Sequence, residues 1–369
     1  METEKLQSKT ISYLRFPLTL GVIFIHFNLT NGISLGGAKF GINYPEWYYW
    51  IITLFSDVLP RISVPLFFVI SGFLFFYNCD FNSDSYLRKI KTRVRTLLVP
   101  YLLWNIIAIA FVICRCTVLK EAYEINISLG RILNTFFNNG NNNGIIIQQL
   151  TTVKEMPEPI CGVLWYVREI MLMALITPVI YWLIKRCRIW IVIVLSVVWI
   201  FDSVLLPTSM HFFISALFFY TAGAYFSVNR LNMVASLCKM KYLPLLYLVI
   251  AIIDTTTKGA SYNIFMHNIG AIIGLISAFI LVSYVIDKDK TTVNKTMANG
   301  SFFVYVLHSF ILVPIGKGVF MFTHIPDNPY AMLLFYFFVP CLVAFLCYTI
   351  YLILKKYMPI VCSVLTGGR

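Results

Sequence analysis

The first apolar segment of the chain carries Arg15 and His26, whose side chains can hold an anion and exchange a proton near neutral pH. They are 11 positions apart, about three turns of an α-helix, so both would lie on one helix face roughly 16 Å apart along the axis. Taken singly, Arg15 can extend to the cytoplasmic interface and His26 can hydrogen-bond to a neighbouring helix. Because ionisable groups inside a membrane are expensive and by default indicate function, the pair predicts a polar track inside a helical bundle.

The next apolar segment, PRISVPLFFVISGFLFF, begins at Pro60 and Arg61 and has Ser71 and Gly72 near its centre. Small residues let two helix backbones approach closely, so we expect a tight helix contact at Ser71 and Gly72. The guanidinium of Arg61 can extend to the outer interface. Arg61 and Ser71 are also candidates for the lining of a substrate pocket.

The segment LRKIKTRVRTLLVPYLLW enters a third apolar run with five basic residues. Each of them alone is typical of the positive residues that anchor a helix at the cytoplasmic surface. As a cluster they also predict a phosphate clamp, because guanidinium groups bind phosphate oxygens through paired hydrogen bonds. The candidate phosphate-binding residues are Arg88, Arg93 and Arg95.

Two later segments add polar residues to apolar runs. LWYVREIML holds Trp165 and Glu169, and Glu169 is expected to make a structural polar contact or to pair with an arginine. NGSFFVYVLHSFIL holds Ser301, Tyr305 and His308 at spacings that place all three on one helix face. Packing alone does not require an imidazole at His308. Trp165, Glu169, Tyr305 and His308 are candidates for the pocket lining.

The composition is typical of polytopic membrane proteins. Of 369 residues, 59% are hydrophobic and only 12% are charged, too few to cover the surface of a soluble domain of this length. Apolar runs of about 20 residues match the hydrocarbon core, and a helix satisfies its backbone groups within one segment. We therefore predict an all-α transmembrane bundle with about ten spans, near 11–30, 57–77, 97–115, 163–184, 189–206, 211–228, 242–258, 262–286, 297–318 and 331–354.

The charge distribution predicts the orientation of the chain. Most of the 29 lysines and arginines cluster at alternate ends of the apolar runs, as they do in cytoplasmic loops. The same clustering argues against nucleic acid as a partner despite the net charge of +13. We expect cytoplasmic termini, an external loop at 116–162 and one membrane domain over 1–369. No signal-peptide cleavage site is evident, and the nine cysteines show no metal-ligand spacing.

Five motifs in this order resemble the acyltransferase-3 family of integral membrane acyltransferases, which modify polysaccharides, lipids and other acceptors. They are the arginine and histidine with ten residues between them in the first span, VPLFFVISGFLFF, the basic entry followed by PYLLW, LWYV, and SFFVYVLH. Each motif alone is weak, whereas the ordered set covers most of the chain. The resemblance implies a stand-alone membrane acyltransferase of the cytoplasmic (inner) membrane.

The resemblance also implies roles for individual residues. His26 matches the proposed catalytic base and Arg15 matches the arginine linked to acyl-CoA binding. Arg88, Arg93 and Arg95 resemble the arginine motif of the third span, although Thr96 stands where many members have the last arginine. The implied donor is acyl-CoA, acetyl-CoA by default, as a co-substrate rather than a permanently bound cofactor.

The residues are consistent with that chemistry. A neutral imidazole, with an unperturbed pKa of about 6.5, can take the proton of an acceptor hydroxyl as it attacks the thioester. The expected acceptor is a glycan or lipid-linked saccharide on the outer side, with membrane lipid around the bundle. A covalent acyl-imidazole on His26 is a variant of this mechanism. A polysaccharide flippase or proton-coupled transporter is the alternative function, because such proteins also carry ionisable residues through a bundle.

Overall fold

The structure, a computed structural model of the chain, describes residues 2–35, 38–118, 124–125, 146–147, 159–288 and 291–368. The described residues are predominantly helical, as the sequence predicts. Two short antiparallel strand pairs accompany the helices, β1 Ile33–Leu35 with β2 Ala38–Phe40 and β3 Glu124–Ile125 with β4 Ile146–Ile147. Most of the predicted external loop at 116–162 lies outside the described residues.

The helices are, in chain order, α1 Glu2–His26, α2 Glu46–Thr53, α3 Ser63–Phe76, α4 Ser83–Arg93, α5 Val99–Val118, α6 Trp165–Cys187, α7 Ile189–Ile200, α8 Asp202–Leu205, α9 His211–Val228, α10 Met233–Leu237, α11 Leu243–Thr256, α12 Asn263–Asp287, α13 Lys295–Thr323, α14 Pro329–Tyr357 and α15 Pro359–Thr366.

Seven continuous helical segments of the described chain are long and apolar enough to cross a membrane. They are Glu46–Phe76, Ser83–Cys114, Gly162–Cys187, Thr208–Val228, Asn263–Asp287, Lys295–Thr323 and Pro329–Tyr357. The predicted count of about ten is therefore not confirmed. Polar residues lower the hydropathy of α1, and α7 and α11 are apolar but short. The helices at Glu46 and Ser83 also begin earlier than the apolar runs on which the predicted spans were based.

Two of these long segments change their helical pitch partway along. A π-helical turn, Leu54–Val58, and a 3-10 turn, Leu59–Ile62, join α2 to α3. A second π turn, Val94–Leu98, joins α4 to α5. Pro60 and Pro100 follow the two π turns, and proline offers no N–H and crowds the carbonyl four residues earlier. The widened turns therefore accommodate the prolines, and they change the direction in which the following side chains point.

The chain divides into two compact units, which do not by themselves test the prediction of one domain over 1–369. The first unit comprises Met1–Ile70 and Asn229–Lys356, and the second comprises Ser71–Val228 and Tyr357–Arg369. In the first unit, α1 packs against α12, α13 and the 3-10 turn. Its approach is close because a Cβ at Gly21 would lie 2.7 Å from Oγ of Ser63.

The core of the first unit is aromatic. Tyr336 of α14 is fully buried, and its ring stacks near that of Phe27, at a centroid distance of 6.4 Å. Ser56, in the first π turn, lies 2.7 Å from the Tyr336 hydroxyl and donates to the carbonyl of Phe24 at 2.9 Å. These bonds fix the π turn against α1 and α14.

In the second unit, α6 and α7 pack against α9, and α5 packs against α15. A Cβ at Gly72 would lie only 2.0 Å from the carbonyl oxygen of Tyr220 in α9. This confirms the close helix contact that the sequence predicts at Ser71 and Gly72. The indole of Trp104 donates to the carbonyl of Leu365 at 3.0 Å, which ties the C-terminal helix to α5.

Candidate active site

Helix α1 carries both polar residues of the first segment in the first unit. It runs unbroken from Glu2 to His26, so the side chains of Arg15 and His26 share the face that the spacing predicts. The hydroxyl of Thr19 donates to the carbonyl of Arg15 at 3.0 Å and also approaches the carbonyl of Ser301 in α13. Arg15 is half-buried, whereas His26 ends the helix with its side chain exposed.

The imidazole of His308 lies against that of His26. The two ring centroids are 5.5 Å apart and the rings are inclined by 40°. His308 is fully buried, and neither of its ring nitrogens has a hydrogen-bond partner among the described residues. The structure thus pairs one accessible imidazole with one that is completely enclosed.

The rest of the helix face that the sequence predicts in α13 is buried. Tyr305 is 4% exposed, and its ring centroid lies 6.2 Å from that of His308 and 6.4 Å from that of Phe67. Ser301 is also buried, and its hydroxyl donates to the carbonyl of Ala298 at 2.8 Å. Ser301 therefore lines the interior but uses its proton within its own helix.

An ion pair that sequence reasoning missed follows the end of α1. A guanidinium nitrogen of Arg61 lies 2.8 Å from the carboxylate of Asp57, whose other oxygen accepts from the side-chain amide of Asn28 at 2.7 Å. Asn28 also accepts from the backbone N–H of Thr30. Arg61, predicted as a pocket residue, is exposed and held by this network. The signal in the sequence was one acidic residue in the apolar stretch FSDVLPR.

A second missed cluster joins α11 to α12. The carboxylate of Asp254, 3% exposed, lies 2.7 Å from Nδ1 of His267 and accepts from Nδ2 of Asn263 at 3.0 Å. Lys258 approaches the same carboxylate at 3.4 Å. An aspartate inside the apolar run IAIIDTTTKG was the available signal. These bonds connect consecutive helices and give the cluster a structural function in the helical hairpin.

The predicted phosphate-binding arginines belong to the second unit. Arg88 and Arg95 are exposed, and Arg93 is half-buried with its guanidinium 5.7 Å from the centroid of the Phe75 ring. Among the described residues none of the three arginines forms an ion pair with a carboxylate. The neighbouring Lys89 instead donates to the carbonyl of Phe75. This leaves three guanidinium groups whose charge is not neutralised by the described protein.

The start of α6 gathers three further predicted residues in the second unit. The hydroxyls of Ser71 and Tyr166 are 3.3 Å apart, and the ring of Trp165 stacks on that of Phe212 at 3.9 Å. Glu169 is buried, and one carboxylate oxygen accepts from Arg168 at 2.7 and 3.0 Å. The other oxygen has no partner among the described residues. Glu169 therefore pairs with an arginine, one of the two alternatives that the sequence left open.

The chemistry available in the first unit is proton transfer. A neutral imidazole carries one N–H and one lone pair, so it can accept a proton at one nitrogen while it donates at the other. In the described part of the chain no group of three or more His, Cys, Asp or Glu side chains is arranged to hold a metal ion. The site therefore consists of two imidazoles, buried hydroxyls and the nearby ion pair.

Comparison with known proteins assigns the chain to a family. Residues 9–352 match the family described as an acyltransferase domain. Over 229 residues the chain is 26% identical to the succinoglycan biosynthesis protein ExoH of Rhizobium meliloti (strain 1021). That match covers 61% of this chain and 55% of the relative, so the chain spans about half the length of that protein. No solved structure matches the chain.

Proposed function

Because the chain belongs to the acyltransferase-3 family of integral membrane proteins, we propose that it transfers an acyl group from acyl-CoA to a hydroxyl group of a glycan. The observation that carries this proposal is the imidazole pair of His26 and His308 at the end of α1. His26 is exposed and can reach a substrate. No acidic side chain is needed for the step, since a neutral imidazole is itself a competent base near pH 7.

In the proposed reaction, His26 takes the proton of the acceptor hydroxyl as its oxygen attacks the thioester carbonyl carbon. The carbon–oxygen bond forms, the carbon–sulfur bond breaks, and CoA leaves as a thiolate that is reprotonated to the thiol. The proton held by the imidazolium of His26 is the one that converts the thiolate to the thiol. General-base assistance of this kind contributes about 10²- to 10⁴-fold in rate.

Arg88, Arg93 and Arg95 are proposed to bind the phosphate groups of acyl-CoA, together with Arg15 of the first unit. Their support is the absence of a carboxylate partner for the three arginines of α4 and the π turn within the described residues. The ring of Phe75 holds the guanidinium of Arg93 in place. By the family resemblance, the default acyl group is acetyl, supplied from the cytoplasm.

The proposed acceptor is a polysaccharide unit or a lipid-linked saccharide on the outer side of the cytoplasmic (inner) membrane. Its support is the name of the relative, which concerns the biosynthesis of succinoglycan. The proposed orientation has both termini in the cytoplasm and about ten spans, because the basic clusters then lie inside. Trp165, Glu169, Ser71 and Arg61 remain candidates for the pocket that receives the acceptor.

The function can be tested with the purified protein in detergent. We expect release of free CoA thiol from acetyl-CoA that increases when an oligosaccharide acceptor is added, with an acetylated product identified by mass spectrometry. His26→Ala should abolish this release while the protein still inserts into membranes. The matched control is His324→Asn, because His324 is exposed and has a left-handed backbone conformation that asparagine tolerates.

The alternative functions make different predictions for the same preparation. A flippase or proton-coupled carrier would move a saccharide or protons in liposomes without consuming acetyl-CoA. Substrate movement with no thiol release in the wild-type protein would therefore overturn the proposed function. Normal turnover by His26→Ala would leave the acyltransferase in place and reject His26 as its base.

A further inference from the structure

The buried imidazole of His308 has no function that packing explains. Its side chain is 0% exposed, and both ring nitrogens lack a hydrogen-bond partner among the described residues. A buried polar group left without a partner costs about 1–3 kcal/mol. An apolar side chain of similar size at this position would avoid that cost, so packing alone does not account for the imidazole.

The neighbour that His308 can act upon is His26. Two imidazoles that share an N–H···N hydrogen bond of about 2.9 Å have ring centroids separated by about 5 Å. The observed separation of 5.5 Å is close to this value, and the rings are inclined rather than stacked. The observed separation therefore lies within about half an ångström of the value for a hydrogen bond between one nitrogen of each ring.

The helix around His308 favours one direction for this bond. The backbone carbonyls of Val304 and Tyr305, one turn earlier in α13, lie on the side of the helix toward which the His308 side chain leans. They do not meet the geometry of a hydrogen bond. An N–H directed at them leaves the lone pair of the other ring nitrogen available. His308 is thus prepared to accept a hydrogen bond rather than to donate one.

We propose that His308 is the positioning residue of the base: it accepts a hydrogen bond from one nitrogen of His26 and so holds the lone pair of the other nitrogen toward the acceptor hydroxyl. This inference rests on the proposed function. The bond selects the tautomer of His26 that can accept a proton, and it persists when His26 becomes an imidazolium. In other enzymes a carboxylate or a backbone carbonyl orients an imidazole in this way. Here a buried neutral imidazole performs that function without placing a charge in the membrane.

The location of the pair explains why a neutral acceptor suits this site. A carboxylate at the same place would have to be desolvated inside the bundle, which is costly unless a cation accompanies it. The buried carboxylate of Glu169 in the second unit has such a cation, Arg168, at 2.7 Å. His308 needs no counter-ion, so its burial is compatible with an accessible and uncharged base at His26.

The test combines two substitutions of the buried ring. His308→Leu removes both nitrogens but keeps the volume roughly constant, whereas His308→Gln keeps an oxygen that can accept a hydrogen bond from His26. We expect His308→Leu to lower kcat about 10- to 100-fold, as loss of the hydrogen-bond partner of a metal-bound imidazole typically does. The KM for acetyl-CoA should stay constant, and His308→Gln should recover part of kcat.

Thermal stability distinguishes positioning from a structural function. Since His308→Leu removes two unpartnered buried nitrogens, its Tm should equal or exceed that of the wild-type protein. A structural residue would show the opposite, a lower Tm in the leucine variant and no recovery with glutamine. That result, or an unchanged kcat in His308→Leu, would overturn the inference.

The outcomes separate this inference from the proposed function. If the wild-type protein transfers no acyl group, the proposed function fails and His308 has no base to position. If wild type and His324→Asn are active and His308→Leu is equally active, the acyltransferase stands and only the positioning by His308 is rejected. The inference is supported if kcat decreases from wild type to His308→Gln to His308→Leu, while the Tm of His308→Leu is unchanged or raised.

Discussion

At the scale of single residues, proton transfer and acyl-CoA binding in the proposed reaction depend on different chemistry. As the proposed base, His26 must be accessible, which its exposed position at the end of α1 provides. Arg93 and Arg95 carry fixed charges and must lack competing carboxylates, as the described residues show. Substitution of His26 should therefore change turnover, and substitution of Arg93 or Arg95 should change the affinity for acyl-CoA.

Arg93→Gln and Arg95→Gln should each weaken CoA binding. A lost charge-assisted hydrogen bond is worth about 1.5–3 kcal/mol, or roughly 10- to 150-fold in affinity. The remaining binding should also depend less on salt, because fewer screened charge pairs contribute. Calorimetry with CoA in detergent across a salt series measures both effects.

Two variants serve as controls for the arginine measurement. Arg186→Gln removes the same charge from an exposed position in the last turn of α6, and it should leave the CoA affinity unchanged. His26→Ala should also bind CoA normally, because the proposed base acts on the acceptor hydroxyl and not on the phosphates of CoA. Normal binding by the arginine variants together with weak binding by His26→Ala would reverse the roles assigned here.

At the scale of elements, one glycine determines how closely two helices approach. In the second unit, Gly72 of α3 faces the backbone of Tyr220 in α9, where an added Cβ would meet the carbonyl oxygen at 2.0 Å. Backbone cannot move aside as the end of a flexible side chain can. The contact therefore requires glycine, and the helices must separate if any side chain is introduced.

Gly72→Ala should destabilise the protein, and Gly318→Ala should not. The first substitution forces α3 away from α9, and overpacking of this kind costs about 1–3 kcal/mol or more. The second adds a methyl group in the interior of α13, where nothing lies within 4 Å, and it should be neutral or stabilising by up to about 1 kcal/mol. Thermal unfolding in detergent provides the comparison, and an unchanged Tm in Gly72→Ala would contradict the close contact.

Part of this architecture is visible in the sequence because its signals are local. Apolar runs predict helices, Ser71 and Gly72 predict a close approach, and the spacing from Ser301 to His308 predicts one shared helix face. The pairing of Asp254 with His267, and of Asp57 with Asn28, joins residues that are distant in sequence, so no spacing rule reveals it. The pairing of His26 with His308 likewise depends on the packing of α1 against α13.

At the scale of the whole molecule, the predicted number of spans and the predicted orientation depend on charge and length together. The basic clusters place both termini in the cytoplasm if there are about ten spans. Helices α7 and α11 are apolar but shorter than the seven long segments, so the count of ten depends on whether they cross the membrane. The 12 residues of α7 extend only about 18 Å as a helix, less than a hydrocarbon core of about 30 Å. Whether the chain crosses at α7 determines the side on which the following segment lies.

Single cysteines in a background without the nine native cysteines test the orientation and the count together. In the ten-span arrangement Asn141→Cys and Ser209→Cys lie outside, so an impermeant thiol reagent should label both in intact cells. Ser363→Cys, an exposed position in α15, should be labelled only after permeabilisation. All three should react in detergent, which controls for accessibility. Labelling of Ser363→Cys in intact cells would contradict a cytoplasmic C-terminus. Protection of Ser209→Cys with labelling of Asn141→Cys would mean that α7 does not cross the membrane, because the chain then returns to the side from which it came.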